Sequence, residues 1–285
     1  MVDIKKFDSD IVSISQRMLF DILILLNKYK DNFVLVGGWC PYFLLQKYMP
    51  QNAEFTHIGS IDIDFAIDHN KISDLAKLYK ELEEILINNG YKIKTNSNNK
   101  LIRHRFERKV QNTFIHIDFL VSENSDSKER AVDNEEKDLF AKCRGIDLAF
   151  QNNEKFELVG ITLDNKEVKT DIKIAGAVAL IGMKAIALKI EPSRIKDSYD
   201  IYSILKFYKH GVISIIEELK PFLKDKNELI TEALANLSEL YSRTTSTGSL
   251  HLANFLEPDN ADSTDWNFYC RDAYELVQQL LSGIS

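Results

Sequence analysis

Apolar residues recur at steps of three and four along several stretches of the first part of the chain, which is the spacing of one helix face. The pattern predicts helices over residues 10–28 and 39–48. A third predicted helix has Ser73 as its N-cap and Gly90 as its C-terminal stop. These helices alternate with short apolar runs that are typical of strands.

The strand pattern begins with a continuous apolar run that stops at Gly37 and Gly38, which predicts a buried strand ending in a turn. The predicted strands cover residues 33–36, 61–67, 101–110 and 113–121, with weaker ones near 156–159 and 161–163. Gln111 and Asn112 separate two of them and predict a tight hairpin.

From about residue 171 the pattern becomes helical throughout. The predicted helices cover residues 175–190, 194–208, 212–219, 227–241 and 264–281. We therefore predict an α+β protein with a mixed-sheet domain over residues 1–170, followed by an all-helical C-terminal domain over residues 171–285.

Composition narrows the class of protein. The chain has 285 residues, 45% of them hydrophobic, with eleven Gly and five Pro, so it is neither disordered nor fibrous. No apolar run approaches the roughly 20 residues that span a bilayer, and the N-terminus lacks the features of a signal peptide. Three cysteines without a C-x-x-C pair fit a reducing compartment. These features predict a cytoplasmic protein without a membrane partner.

The net charge of −7 argues against binding to nucleic acid through overall charge. Residues 92–109 nevertheless hold seven Lys or Arg and one acidic residue, which leaves room for a local basic surface. Arg103 and Arg105 share one face of their predicted strand. Contact with phosphate or RNA and cross-strand pairing with acidic neighbours are both open for these two arginines.

The strongest chemical signal is Asp62-Ile63-Asp64 within an apolar strand. The two-residue period of a strand places both carboxylates on one face, and two like charges there are unfavourable without a cation between them. Mg²⁺ is the usual such cation, because it prefers hard oxygen ligands. A solvated acidic face of an edge strand is the alternative explanation.

A third carboxylate, Asp118, lies in a second and almost wholly apolar strand, where a charge is costly unless it is paired or bound to metal. Three carboxylates on two strands can hold two metal ions for attack on a nucleotide phosphate. The glycine pair at 37–38 leaves backbone N–H groups accessible for binding phosphate oxygens.

In the C-terminal part, Asp197 and Asp200 share a helix face and Lys196 can pair with Asp200. Taken alone, these residues suggest ordinary surface ion pairs, and a snorkelling side chain would explain Lys184 in its apolar helix.

Five segments carry a resemblance to a known family: Val36–Trp39, Gly59–Phe65, Ile117–Asp118, Met183–Leu188 and Ser193–Tyr202. The first three resemble motifs of the DNA polymerase β-type nucleotidyltransferase superfamily. The last two are similar to the Lys motif and the R-x-K-D-x-x-D motif of its AbiEii/AbiGii (MenT-like) toxin branch. The resemblance covers roughly residues 33–205.

The resemblance implies a polymerase β-type fold and assigns roles to ten residues. Implied as catalytic are Asp62, Asp64, Asp118, Lys184, Asp197 and Asp200, the first three as ligands of Mg²⁺. Implied as nucleotide-binding are Gly37, Gly38, Ser60, Lys184 and Arg194. The implied activity is Mg²⁺-dependent transfer of a nucleoside monophosphate from an NTP to RNA, in particular tRNA, with a cognate antitoxin as a further candidate partner. Modification of a small molecule such as an antibiotic, and nucleotide binding without turnover, are the alternatives.

Overall fold

The computed structural model describes residues 4–125, 128–130 and 136–284. Its strands are β1 (Phe33–Val36), β2 (Ile63–Ile67), β3 (Lys92–Thr95), β4 (Leu101–Val110), β5 (Thr113–Ser122), β6 (Lys128–Arg130), β7 (Glu136–Asp138), β8 (Ala141–Cys143), β9 (Asn153–Ile161) and β10 (Glu167–Ala175). Its α-helices are α1 (Ser9–Leu25), α2 (Trp39–Tyr48), α3 (Leu75–Asn88), α4 (Leu148–Gln151), α5 (Ala177–Ile190), α6 (Ile195–Phe207), α7 (Val212–Lys224), α8 (Glu228–Leu240), α9 (Thr247–Leu256) and α10 (Thr264–Gly283).

Eight of these strands form one mixed sheet in the order β3-β4-β5-β2-β1-β10-β9, with β8 paired to β5. β1 runs parallel to β10 and antiparallel to β2, and β2 runs parallel to β5. The β4–β5 hairpin turns at Gln111, whose φ is 53°. β6 and β7 form a separate two-stranded sheet.

The centre of the large sheet has one apolar face and one charged face, because side chains alternate along each strand. On the apolar face, the rings of Phe65 and Phe119 lie 5.9 Å apart and the ring of Phe106 lies 6.0 Å from that of Phe119. Tyr79 of α3 packs against this cluster, 6.3 Å from Phe106. This buried aromatic layer anchors the strands whose opposite face carries the carboxylates.

The chain divides into two compact units. The sheet unit comprises Ser9–Trp39 and Ser60–Ala175, and the helical unit comprises Cys40–Gly59 with the described parts of Met1–Asp8 and Gly176–Ser285. In the helical unit, α5 packs on α6 and α8, and α9 packs on α6 and α10. Almost every side of α5 is buried, as its uniformly apolar sequence requires.

The predicted fold class, a mixed sheet with C-terminal helices, is confirmed. The bounds of β1 and α2 agree with the prediction. The N-cap of α3 is Asp74, not Ser73, because the Asp74 carboxylate accepts a hydrogen bond of 2.8 Å from the Lys77 backbone N–H. No helix in the described part of the chain combines the length and apolar character that a bilayer span requires.

Several short elements and two longer ones were not predicted. The short ones are β3, β6, β7, β8 and α4. Of the longer ones, β10 alternates apolar and polar side chains and pairs with β1, and it runs across residue 170, where the sequence placed a domain boundary. The other is α9, which is rich in small and polar residues.

The compact units also join Cys40–Gly59 to the C-terminal helices, a grouping of distant segments that no local pattern indicates.

Candidate active site

The end of β1 lies against the first carboxylate, that of Asp64. Gly37 has a φ of +73°, and Val36 beside it is the register partner of Asp64 on β2. A Cβ atom at residue 37 would lie 2.0 Å from Oδ2 of Asp64. Glycine is therefore required here both by the left-handed backbone and by the carboxylate that fills the side-chain position. Gly38 is buried directly before α2.

Three carboxylates follow from the register of β2 and β5. Asp64 and Asp118 are partners on these parallel strands, which lie about 4.8 Å apart in a regular sheet. Asp62 lies two residues before Asp64, and its side chain is 44% exposed. Upstream, the Ser15 hydroxyl of α1 donates a 2.6 Å hydrogen bond to the Ile61 carbonyl and fixes the chain next to Asp62. Ser60 is buried in the same segment.

Arg105 binds Asp118 with two parallel hydrogen bonds. The arginine Nε donates to Oδ1 at 2.7 Å and Nη2 donates to Oδ2 at 2.5 Å. The two residues are register partners on β4 and β5, so the contact follows directly from hairpin pairing. Of the two roles left open for Arg105, the structure shows cross-strand pairing with an acidic neighbour.

His116 is a second cross-strand contact on the charged face, two residues before Asp118. Its Nδ1 lies 3.2 Å from Asp62 Oδ1, and its Nε2 lies 2.9 Å from Lys94 Nζ. An ammonium group can only donate, so Nε2 accepts from Lys94 and Nδ1 carries the proton that is donated to Asp62. His116 thus links a cation to the exposed carboxylate.

The charged face has the donor chemistry for a divalent cation. It carries the carboxylates of Asp62, Asp64, Asp118 and Glu107, of which Asp118 is paired with Arg105 and Glu107 lies 3.7 Å from Lys92. Within the described residues, no three His, Cys, Asp or Glu side chains are already gathered as a metal site. Both Asp118 oxygens accept from Arg105 instead. The hard oxygen donors fit Mg²⁺, and Asp118 can join them once Arg105 releases one oxygen.

A buried ionic cluster in the helical unit contains the other predicted site residues. Lys184 Nζ on α5 lies 2.7 Å from Asp197 Oδ1 and 2.6 Å from Asp200 Oδ2 on α6. Lys196 Nζ lies 2.8 Å from Asp200 Oδ1, and Arg194 Nε donates to Asp197 Oδ2 at 2.6 Å. Side chains of Lys184, Asp197 and Asp200 are at most 7% exposed.

Burial and pairing act against each other in this cluster. Burial opposes the charge of Lys184, but the attraction of Asp197 and Asp200 outweighs it and raises the lysine pKa above its ordinary value. Burial likewise opposes the charge of Asp200, and the attraction of Lys184 and Lys196 outweighs it, so the pKa of Asp200 is lowered. The cluster is therefore ionised. The pair of Lys196 with Asp200 is confirmed, but the surface location expected for these ions is wrong, because α6 turns this face into the helical unit.

The structure gathers the predicted residues into two groups. Six lie in the sheet unit: Gly37, Gly38, Ser60, Asp62, Asp64 and Asp118. Four lie in the helical unit: Lys184, Arg194, Asp197 and Asp200. Within each unit, side chains far apart in sequence meet as described above.

Sequence reasoning gave no site role to His116 or His57, and it did not identify Asp118 as the partner of Arg105. Period two was the available signal for His116, which shares a strand face with Asp118. A hairpin register counted from the predicted turn would have paired Arg105 with Asp118. His57, whose Nε2 lies 3.0 Å from Asp200 Oδ1, is 143 residues away and had no local signal.

A comparison with protein families agrees with the resemblance noted above. The family model described as nucleotidyl transferase AbiEii toxin, type IV TA system, matches residues 17–279. A solved structure of an antigenic nucleotidyltransferase-like protein from Paracoccidioides brasiliensis aligns with a TM-score of 0.42 at 14% identity, covering 79% of this chain and 88% of that chain. A search of curated proteins found no match. Since the family model matches nearly the whole chain, this protein belongs to the AbiEii family of nucleotidyltransferase toxins and is a nucleotidyltransferase.

Proposed function

We propose that the protein transfers a nucleoside monophosphate from an NTP to RNA, with tRNA as the expected acceptor, in a Mg²⁺-dependent reaction. The observation that carries this proposal is the alignment of Asp64 with Asp118 on adjacent parallel strands, with Asp62 two residues before Asp64 and Gly37 making room for the Asp64 carboxylate. Family membership supports nucleotidyl transfer as the reaction type.

Asp62 and Asp64 would hold the metal, and Asp118 would join them. When bound, Mg²⁺ neutralises charge on the triphosphate and favours attack at the α-phosphorus. The Asp62 side chain is 44% exposed, so a divalent cation can reach it from solvent. His116 orients Asp62 through its Nδ1–H and limits the rotation of that carboxylate.

In the reaction, a hydroxyl oxygen of the acceptor forms a bond to the α-phosphorus, and the bond from that phosphorus to the oxygen bridging the β-phosphate breaks. Pyrophosphate leaves with the bridging oxygen. The hydroxyl proton passes to Asp118, which acts as the base once Arg105 has released one of its oxygens. The released guanidinium nitrogen is then available to a phosphate oxygen, since arginine suits both carboxylate and phosphate.

Lys184 and Arg194 are the cations that we propose for the triphosphate. The Lys184 ammonium group has three N–H donors, and it uses two of them for Asp197 and Asp200. We assign the third to a phosphate oxygen. Arg194, whose side chain is about half exposed, is the second proposed cation for the nucleotide. Gly37, Gly38 and Ser60 remain proposed phosphate neighbours.

The family description supports a cognate antitoxin as a partner, because it names a toxin of a type IV toxin–antitoxin system. A toxin that transfers nucleotides has to act on a molecule needed for growth, and tRNA meets that condition. Expression of the chain alone is expected to stop growth, whereas the Asp64→Asn variant is expected to leave growth normal.

Incubation with α-labelled NTPs tests the proposal directly. One set of reactions contains total RNA and another contains a panel of aminoglycosides and lincosamides, each with Mg²⁺ or with EDTA. We expect label in the tRNA band only with Mg²⁺. Label in the antibiotic fraction would replace RNA by a small-molecule acceptor. Calorimetry showing Mg²⁺-dependent NTP binding without transfer to any acceptor would instead make the protein a nucleotide-binding module.

A further inference from the structure

The segment that leads into the Asp62–Asp64 region is held on α6 by a buried histidine. The His57 side chain is 1% exposed, and its Nε2 lies 3.0 Å from Oδ1 of Asp200, which is equally buried. Both residues belong to the helical unit. The contact joins residues 143 positions apart, so it depends on how this segment and α6 pack.

The geometry determines which nitrogen of His57 carries the proton. The Gly59 backbone N–H donates to Nδ1 at 3.1 Å, so Nδ1 is an acceptor. The proton is therefore on Nε2, and His57 donates it to the Asp200 carboxylate. Burial lowers the pKa of His57 to about 4, so the ring is neutral near pH 7 and this tautomer is the populated form.

Neighbouring contacts restrict the ring further. The Ile58 backbone N–H donates to the Tyr199 hydroxyl at 3.2 Å, and the rings of His57 and Tyr199 lie 4.9 Å apart. Phe55 stacks on Phe207 at the other end of α6, with ring centroids 4.0 Å apart. The segment is thus docked along α6 by two ring contacts, by the backbone hydrogen bond of Ile58 and by the hydrogen bond of His57 to Asp200.

His57 controls how Asp200 shares its oxygens. Oδ1 accepts from His57 and, at 2.8 Å, from Lys196, while Oδ2 contacts Lys184 at 2.6 Å and accepts a longer hydrogen bond of 3.1 Å from Lys196. Without the His57 donor, Oδ1 loses one partner, and the carboxylate can rotate so that its two oxygens share Lys196 more evenly. Such a rotation moves Oδ2, and the ammonium group of Lys184 moves with it.

We propose that His57 is a positioning residue for nucleotidyl transfer: by donating to Asp200 it fixes the carboxylate that, with Asp197, aims the Lys184 ammonium group. The inference rests on the proposed role of Lys184 towards the triphosphate. His57 is not itself a catalytic residue, because it acts through Asp200 and is closed off from solvent.

Two amide variants separate the hydrogen bonds of His57. In His57→Gln the side-chain amide reaches the position of Nε2 and can still donate to Asp200, whereas in His57→Asn it reaches only the position of Nδ1. We expect His57→Asn to lower kcat about 10- to 100-fold, with a smaller change in KM for NTP, because misplacement of a charged group acts mainly in the transition state. We expect His57→Gln to restore most of kcat.

The matched control is Tyr202→Phe. This change removes a different, partly buried hydrogen bond of α6, the one that the Tyr202 hydroxyl donates to Asp272.

A second measurement is independent of the acceptor. The buried Lys184 ammonium group should give a slowly exchanging ¹⁵Nζ–¹H signal, which we expect to shift in His57→Asn and to stay in place in His57→Gln and Tyr202→Phe. Wild-type kcat and an unshifted signal in His57→Asn would overturn the inference, as would equal loss of kcat in both amide variants. If wild type labels no acceptor, the proposed function fails, and the ammonium signal alone then decides whether His57 positions Lys184.

Discussion

Asp62 and Asp200 each have a histidine partner, yet their surroundings differ sharply. His116 Nδ1 lies 3.2 Å from Asp62, on a sheet face where the Asp62 side chain is 44% exposed. His57 Nε2 lies 3.0 Å from Asp200, whose side chain is 1% exposed. On the charged sheet face the Asp62 carboxylate is open to solvent, whereas in the cluster of Lys184, Arg194, Lys196, Asp197 and Asp200 two carboxylates are surrounded by three cations.

The difference shows how burial changes what a group of charges can do. In the buried cluster an ion without a partner is strongly unfavourable, so each carboxylate is surrounded by donors. On the sheet face, water solvates the Asp62 carboxylate, whose side chain is 44% exposed, so this oxygen donor can bind a divalent cation from solvent. The exposed face is suited to binding and chemistry, and the buried cluster to holding one lysine in place.

The largest expected effect is on the sheet face. Replacement of Asp64 by Asn keeps the side-chain volume beside Gly37 but removes a proposed metal ligand. We expect transfer of labelled nucleotide to fall at least about 10³-fold, because metal coordination contributes several kcal/mol to the transition state. The melting temperature should stay near that of wild type.

Glu84→Gln, an exposed neutralisation on α3, is the matched control for loss of one negative charge. It should retain full transfer activity. Either an unfolded Asp64→Asn protein or a folded one within tenfold of wild-type activity would contradict the role given to Asp64.

Removal of the central cation tests the buried cluster. Lys184→Met leaves Asp197 and Asp200 buried with fewer partners, and we expect the free energy of unfolding in urea to fall by about 3–5 kcal/mol. The corresponding change on the sheet face, Asp62→Asn, should alter it by less than about 1 kcal/mol, since that side chain is well exposed. Equal stability losses in the two variants would remove the contrast between the regions.

Gly37→Ala tests whether glycine is needed for the carboxylate or only for the backbone. Both Gly37 and Gly90 have positive φ, but a Cβ at residue 90 meets no atom closer than 3.9 Å. Alanine at either position should cost about 1–2 kcal/mol of stability. Only Gly37→Ala displaces Asp64, so only this variant should lose transfer activity, by about 10²-fold. Similar activity in the two alanine variants would limit Gly37 to a backbone role.

The smallest expected effect is the pH dependence of stability that His57 contributes. The folded pKa of about 4 lies below the unfolded value of about 6.5, so the unfolded state binds more protons between these values and stability falls as the pH falls through this window. The charged groups facing the ring are Asp200, Lys184 and Lys196.

Between pH 7 and pH 5, wild type should lose about 2 kcal/mol more than His57→Gln, as measured by urea unfolding at both values. The comparison of the two proteins cancels the titration of the carboxylates that they share. Parallel losses in wild type and variant would show that folding does not lower the pKa of His57.

Much of the sheet face was predictable, because its chemistry follows strand alternation. The two-residue period of a strand indicated that Asp62 and Asp64 share a face. Counting residue pairs outward from the predicted turn at Gln111 and Asn112 pairs Arg105 with Asp118. The burial of Asp197 and Asp200 was not predictable, since their spacing on α6 is equally typical of a surface helix. β10 was overlooked although it alternates, because its many charged residues resemble a loop.

The sequence by itself determined the local elements, the faces on which the carboxylates lie and, through five ordered motifs, the family. Only the tertiary structure decided the partners. Asp64 meets Asp118 across 54 residues and His57 meets Asp200 across 143, and these contacts depend on strand order and helix packing. Local periodicity is set by backbone geometry within a few residues. Burial comes from the packing of distant segments. It encloses the ionic cluster around Lys184 and leaves the sheet face around Asp62 open to solvent.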